Sequence, residues 1–238
     1  MAEKSGSFPQ KIMGTIYGAI LFIGNVLVFY AYKNSDSQSR NPGLLVQFII
    51  LFIFLFIFLI FIFELFRKKE NPFGNISFTF LGIIYVALPL SLLNYINILS
   101  GKYNYQLLFG IFFILWCNDA GAYIVGSLTG KHKLFPRISP AKSWEGSIGG
   151  GLISYGIVFI ISKWYTSISF IDWMVIATIL IVIGTLGDLV ESLFKRSVTV
   201  KDSGNILPGH GGILDRFDSL LMSVPFIFAY LYFIKYLV

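Results

Sequence analysis

The sequence predicts an all-α, polytopic integral membrane protein, a bundle of about seven transmembrane helices. Of its 238 residues, 56% are hydrophobic and 18% aromatic, and only 13% are charged, about half the roughly 25% typical of soluble domains. Apolar runs of about 18 residues or more, long enough to cross a bilayer as helices, recur along the chain. Helices are favoured because every backbone polar group in lipid must be paired internally.

Seven apolar runs are the predicted spans. In chain order they are Gly14–Tyr32, Leu44–Phe66, Ile76–Ile96, Tyr105–Leu128, Ser147–Ile161, Trp173–Phe194 and Ser219–Tyr236. The first follows two lysines, as in a signal peptide, but its apolar stretch of about 19 residues and its bulky end predict a retained anchor. A division of the fourth run into two shorter helices would raise the number of spans to eight or nine.

The distribution of cations predicts the orientation of these spans. With the N-terminus inside the cell and seven alternating spans, 13 of the 18 Lys and Arg residues fall on inner segments, as the positive-inside rule requires. Two polar loops, residues 129–146 and 195–217, then lie on the cytoplasmic side, where nucleoside triphosphates are found. The net charge of +6 suits anionic lipid or nucleotide partners, although it also fits an ordinary cytoplasmic bias. Basic residues confined to short loops argue against nucleic-acid binding.

A polar stripe marks the inner end of the sixth span. Its residues are spaced i, i+3, i+4 and i+7, one face of a helix: Asp188, Glu191, Ser192 and Lys195. Charges inside a span are costly and usually functional, but a satisfied structural cluster around Lys195 is the alternative. A second carboxylate pair, Asp215 and Asp218, begins the seventh span, where capping of the helix N-terminus is the alternative. If the two helix ends adjoin, Asp188 and Asp215 are placed to share Mg²⁺.

The 129–146 loop and the fourth span add further candidates. Asp119 lies about 14 Å from the inner end of its span, so its carboxylate requires a partner, either structural or a ligand. Lys142 is a candidate for substrate contact, whereas Lys131 and Lys133 are expected to attract anions from outside the catalytic centre. Ser143 is a weak candidate for the N-cap of the fifth helix, because no acidic residue follows three positions later.

The segment 192–218 resembles the signature of the phosphatidate cytidylyltransferases, or CDP-diacylglycerol synthases. It reads SLFKRSVTVKDSGNILPGHGGILDRFD, and a second similar block combines DAGAY, GKHK and ISPAKSWEG within residues 119–146. Thr199 stands where many members have Gly, and a β-branched residue resists the positive φ that Gly adopts readily. The resemblance covers roughly residues 107–238. We therefore distinguish N-terminal helices, residues 1–106, from a catalytic region, residues 107–238, and expect both to form one structural unit.

The resemblance implies a reaction in which CTP and phosphatidate give CDP-diacylglycerol and pyrophosphate, with Mg²⁺ as cofactor and the identity of any second cation open. It points to Asp188 and Asp215 as the metal ligands, and we expect Asp218 and Glu191 to support them. Lys195 and Arg196 end the carboxylate-bearing helix, so we expect them to act on the reacting phosphates. The remaining candidate substrate-binding residues are Asp119, Ser139, Lys142, Ser192, Lys201, Asp202, His210, Gly211 and Arg216.

The resemblance also implies a homodimer. We expect the protein to lie in a bacterial cytoplasmic membrane, with the active site on the cytoplasmic face that the distribution of cations predicts. Two alternatives remain open from the residues themselves. One is a CTP-dependent lipid kinase of the dolichol or phytol type, which transfers the γ-phosphate of CTP. The other is an anion transporter, which is disfavoured because most charge lies at one membrane face rather than at the midplane.

Overall fold

The computed structural model describes residues 1–33, 42–98, 105–204 and 211–237. The chain divides into two compact units, Met1–Gly101 and Lys102–Val238. The sequence placed the boundary between residues 106 and 107, and its expectation of a single structural unit stays a prediction.

The described residues are almost entirely helical, which confirms the predicted fold class. The first unit contains α1 (Lys11–Lys33), α2 (Pro42–Arg67), α3 (Pro72–Gly82) and α4 (Leu88–Ile98), and the π-helical segment Ile83–Ala87 joins α3 to α4. The second unit contains α5 (Tyr105–Thr129), α6 (Trp144–Trp164), α7 (Phe170–Ser197) and α8 (Leu214–Leu237).

Each of the seven predicted spans coincides with one helix or with the joined α3–α4 run, and the fourth is a single helix, α5. Among the described residues, five helices are long and apolar enough to cross a membrane: Pro72–Asn97, Tyr105–Thr129, Trp144–Trp164, Phe170–Ser197 and Leu214–Ile234.

A buried carboxylate organises the first unit. Glu64 of α2 accepts hydrogen bonds from Gln10 Nε2 and Arg67 Nη1, both at 2.7 Å, and from Asn75 Nδ2 at 2.6 Å. The backbone N–H of Gln10 also donates to Thr79 Oγ1 at 2.9 Å. Because a buried charge is tolerated only when it is paired and hydrogen-bonded, these contacts fix the start of α1 against α2 and α3.

Small residues allow α5 and α6 to pack closely in the second unit. Gly121 and Gly126 of α5 face Gly150 and Gly146 of α6, and a Cβ added to Gly150 would lie only 2.9 Å from the Cβ of Ala122. Small residues at such positions let helix backbones approach each other in a membrane. Helix α7 packs against α5, α6 and α8.

A short β-hairpin joins α5 to α6, where the sequence predicted only a loop. Strand β1 (Lys133–Phe135) pairs antiparallel with β2 (Ser139–Ser143). Ser143 then caps α6, since its Oγ accepts the backbone N–H of Gly146 at 3.1 Å. The weak prediction of an N-cap at Ser143 is therefore confirmed.

The C-terminus of α7 has the left-handed geometry that Thr199 was expected to resist. Thr199 has φ of +55°, its N–H donates to Arg196 O at 3.1 Å, and the N–H of Val200 donates to Lys195 O at 3.0 Å. These two bonds form a Schellman motif with Thr in the position usually taken by Gly. The turn is therefore kept despite the β-branched side chain.

Replacement of Thr199 by Gly is expected to stabilise the protein. The left-handed conformation costs an L-residue about 1–2 kcal/mol, while the greater freedom of Gly in the unfolded chain offsets part of that gain, about 0.5–1 kcal/mol. Thermal unfolding in detergent should show a higher midpoint for Thr199→Gly. Thr199→Ala, which keeps a Cβ, is the matched control and should gain less. A Gly variant that unfolds at or below the wild-type temperature would show that the turn carries no strain.

Candidate functional site

A cavity of about 1200 Å³ lies in the second unit. Its charged lining residues come from α5, the hairpin, α7 and α8: Asp119, Lys133, Lys142, Asp188, Lys195, Asp215, Arg216 and Asp218. Along the N-terminal half of α5 the lining is apolar: Phe109, Phe112, Leu115 and Trp116. The cavity therefore offers a charged wall and an apolar wall to the same ligand.

Lys195 is held between two carboxylates. Its Nζ pairs with Oε2 of Glu191, one turn earlier on α7, and lies 2.7 Å from Oδ1 of Asp215 on α8. The Glu191 side chain is 0% exposed, and that of Lys195 is 12% exposed. Because a buried charge without a partner is strongly destabilising, Lys195 both neutralises Glu191 and ties α7 to α8.

Asp215 also anchors the loop that follows α7. Its Oδ2 accepts hydrogen bonds from Ser203 N at 2.9 Å, Ser203 Oγ at 2.7 Å and Gly212 N at 2.7 Å. These donors belong to the loop before α8. In the described residues, Asp215 therefore binds the preceding loop and Lys195. A carboxylate that capped the N-terminus of α8 would instead accept N–H groups of α8 itself.

A second ion pair joins the hairpin to α7. Lys142 of β2 pairs with Oδ2 of Asp188, whose Oδ1 accepts a hydrogen bond from Ser192 Oγ at 3.3 Å. Both charged side chains are partly accessible, 25% for Lys142 and 33% for Asp188. This pair is therefore open to the cavity and available to a charged ligand.

Two further carboxylates face this pair. Asp119 is exposed to the cavity, and Asp218 is buried and accepts the N–H of Ser219 at 2.7 Å. Both lie close enough to Lys142 and Asp188 for the charges to interact. Among the residues with described coordinates, neither carboxylate has a salt bridge. The cavity therefore holds carboxylate groups that its own lysines do not neutralise.

The expected Mg²⁺ ligands are gathered in one region but not yet arranged as a metal site. Within the part of the chain that the structure describes, no three His, Cys, Asp or Glu side chains are grouped to hold a metal ion. Asp188 and Asp218 line the cavity, whereas Asp215 and Glu191 are engaged by Lys195. The donors fit a Mg²⁺ ion that takes one or two carboxylates and fills its other positions with substrate phosphates and water.

Several residues predicted from the sequence lie away from the cavity lining. Arg196, Lys201 and Asp202 are exposed on the protein surface. Ser139 begins β2, and Ser192 is turned to Asp188. Gly211 has a positive φ of +80° before α8, and His210 lies outside the described residues.

The structure adds residues that the sequence reasoning placed elsewhere or passed over. Lys133 lines the cavity, whereas the sequence placed it in a loop outside the catalytic centre; its role stays a prediction. Ser203 orients Asp215 through two hydrogen bonds, and its place in the Lys-Asp-Ser-Gly block was the available signal. Asn118 is 4% exposed and lines the cavity beside Asp119.

Comparison with known proteins gives consistent matches. Residues 10–234 match the model of the cytidylyltransferase family. The chain is 43% identical over 165 residues to the phosphatidate cytidylyltransferase of Staphylococcus saprophyticus. This match covers 68% of this chain and 62% of that protein. It is 43% identical over 162 residues to the Bacillus subtilis phosphatidate cytidylyltransferase, and this match covers 68% of this chain and 60% of the relative. It is 41% identical over 173 residues to the phosphatidate cytidylyltransferase of Haemophilus influenzae, and this match covers 69% of this chain and 59% of the relative. The matched part thus spans about three fifths of these relatives.

Removal of the Lys195 ammonium is expected to destabilise the second unit. Lys195→Met leaves Glu191 buried without a counter-charge, which typically costs about 3–5 kcal/mol. Adding Glu191→Leu should recover most of that loss, because the apolar pair no longer buries a charge. Thermal unfolding in detergent, followed by circular dichroism, measures both variants against Arg196→Met, an exposed neighbour that should change little. If Lys195→Met unfolds at the wild-type temperature, Lys195 is not the counter-charge of Glu191.

Proposed function

The chain belongs to the cytidylyltransferase family, and we propose that it transfers a cytidylyl group from CTP to phosphatidate, with release of pyrophosphate. The observation that carries this proposal is the cavity with one charged wall, which includes three lysines and an arginine, and one apolar wall. Phosphatidate has a phosphate headgroup and two acyl chains, and CTP is a polyanion. The two walls match these two kinds of group.

The cations of the cavity are placed to bind phosphate oxygens. Lys133, Lys142, Lys195 and Arg216 all line it, and ammonium and guanidinium groups make strong charge-assisted hydrogen bonds to phosphate. The phosphate of phosphatidate is ionised at neutral pH and attacks the α-phosphorus of CTP, so no strong general base is required. The protein's contribution is to bring two anions together and to stabilise the charge that develops on the leaving pyrophosphate.

The ion pairs of the cavity are suited to exchange on substrate binding. Lys142 is paired with Asp188, and Lys195 is shared by Glu191 and Asp215. Phosphate oxygens compete with these carboxylates for the lysines. A lysine that turns to a phosphate leaves its carboxylate free for a cation, so that net charge in the cavity stays balanced.

The proposal includes Mg²⁺ held by Asp188, with Asp215, Asp218 and Glu191 as the further carboxylates of the region. When bound, the ion would neutralise phosphate charge and help to orient the CTP phosphates for displacement. The buried carboxylate of Asp218, which has no salt bridge among the described residues, supports this assignment. Ser203 and Gly212 orient Asp215 through three hydrogen bonds to Oδ2, and they leave Oδ1 to Lys195.

The apolar wall is proposed to take the acyl chains. Phe109, Phe112 and Trp116 lie on the N-terminal half of α5, one to three turns from Asp119, so a lipid with its chains there has its headgroup near the lysines. We further propose that the charged end faces the cytoplasm of a bacterial inner membrane, where CTP is available, and that the protein acts as a homodimer.

Product analysis tests the reaction and its dependence on Asp188. Purified protein with CTP, Mg²⁺ and phosphatidate should yield CDP-diacylglycerol by lipid mass analysis, with pyrophosphate rather than CDP as the second product. Asp188→Asn should lower turnover on the order of 10³-fold, because a metal ligand is lost. Asp172→Asn, a carboxylate at the opposite end of α7, is the matched control and should stay active. CDP as the product would indicate a lipid kinase, and a fully active Asp188→Asn variant would remove that residue from the metal site.

Cysteine labelling tests the orientation in intact cells. On a Cys117→Ala background, Ser197→Cys at the inner end of α7 should be protected from an impermeant thiol reagent added outside. Ser167→Cys, in the exposed turn between α6 and α7, should be labelled, because the positive-inside rule places that turn outside. Labelling of Ser197→Cys from outside would contradict access to cytosolic CTP.

A further inference from the structure

The hairpin that carries Lys133 and Lys142 is too short to be stable by itself. It has two paired positions, Lys133 with Ser143 and Phe135 with Ser139, and the register shifts between them. An isolated two-stranded hairpin is at best marginally stable in water. The positions of both cavity lysines therefore depend on contacts at the base of the hairpin.

Glu145 supplies those contacts from the first turn of α6. Both of its carboxylate oxygens accept the backbone N–H of His132, at 3.1 and 3.2 Å, and Oε1 also lies 2.6 Å from His132 Nδ1. The backbone N–H of Trp144 donates to His132 O at 2.9 Å. His132 immediately precedes β1, and Glu145 lies in α6, which follows β2. The contact therefore joins the two ends of the hairpin.

We propose that Glu145 is a positioning residue, which closes the hairpin so that Lys133 and Lys142 enter the cavity. Lys133 is the next residue after the fastened His132, and Lys142 reaches Asp188 from the paired strand. The inference rests on the proposed function, since the two lysines matter there as phosphate ligands. Glu145 itself is not among the residues that line the cavity.

The backbone contact, rather than the imidazole, carries most of this effect. The His132 side chain is 80% exposed, whereas that of Glu145 is 26% exposed. An exposed ion pair contributes little, but a backbone N–H held by two oxygens fixes the chain direction. His132→Ala keeps this N–H and is therefore the matched control for Glu145→Ala.

Kinetics provide the first test. Glu145→Ala should lower kcat/KM about tenfold or more, because a small displacement of positioning groups has large kinetic effects, and KM for CTP should rise while the unfolding temperature stays close to that of wild type. Glu145→Gln, which keeps one acceptor oxygen, should recover part of the activity, and His132→Ala should lose less than Glu145→Ala. Wild-type kinetics in Glu145→Ala would overturn the proposal.

Hydrogen exchange separates this inference from the proposed function. In Glu145→Ala the backbone amides of residues 133–143 should exchange faster, with α7 unchanged, whether or not the substrate has been identified correctly. If wild-type protein makes no CDP-diacylglycerol but the variant shows this change, the proposed function fails and the closure of the hairpin by Glu145 stands. Unchanged exchange, or faster exchange without any loss of kcat/KM in an active protein, would overturn the positioning role.

A disulfide provides a rescue test. On the Cys117→Ala background, the double variant His132→Cys, Glu145→Cys replaces the carboxylate contact by a covalent bond. The oxidised form, verified by mass, should have near wild-type kcat/KM, and reduction should lower it to the level of Glu145→Ala. Equal activity before and after reduction would contradict the proposal.

Discussion

The ion pairs of Lys195 connect the apolar helices to the chemistry of the site. Glu191 is buried among the helices of the second unit, where a lone carboxylate would be strongly unfavourable. Lys195 compensates it and reaches Asp215, which in turn binds the loop before α8 through Ser203 and Gly212. The end of α7, the loop and the start of α8 are therefore arranged around one ammonium group at the wall of the cavity.

A second pair extends this arrangement to the hairpin. Lys142 meets Asp188 three residues before Glu191 on α7, and Glu145 fastens the hairpin on which Lys142 lies. Lys142 and Lys195 pair with carboxylates, whereas Asp119 and Asp218 have no salt bridge among the described residues. In the proposed function, a phosphate-rich ligand exchanges these partners together with a cation that compensates the released carboxylates, which suits a site where a water-soluble nucleotide meets a membrane lipid.

The sequence predicted the parts of this structure that depend on local pattern. Apolar runs located the helices, and the i, i+3, i+4, i+7 stripe placed Glu191 and Lys195 on one face of α7, as the structure has them. The pairing of Lys142 with Asp188 and the hairpin were not predicted, because both depend on contacts between separate elements that periodicity does not report. Thr199 shows the converse limit, since two hydrogen bonds at the end of α7 hold a conformation that its side chain disfavours.

The most direct measurement of the central claim is a lysine footprint of the cavity. Purified protein is treated with an amine-acylating reagent, with and without CTP and Mg²⁺, and the labelling of each lysine is quantified by mass spectrometry. The account predicts that CTP protects Lys133 and Lys142, which line the cavity, and leaves Lys163, exposed at the far end of α6, unchanged. If saturating CTP left the labelling of Lys133 and Lys142 unchanged, like that of Lys163, the claim that this cavity binds the nucleotide phosphates would be contradicted.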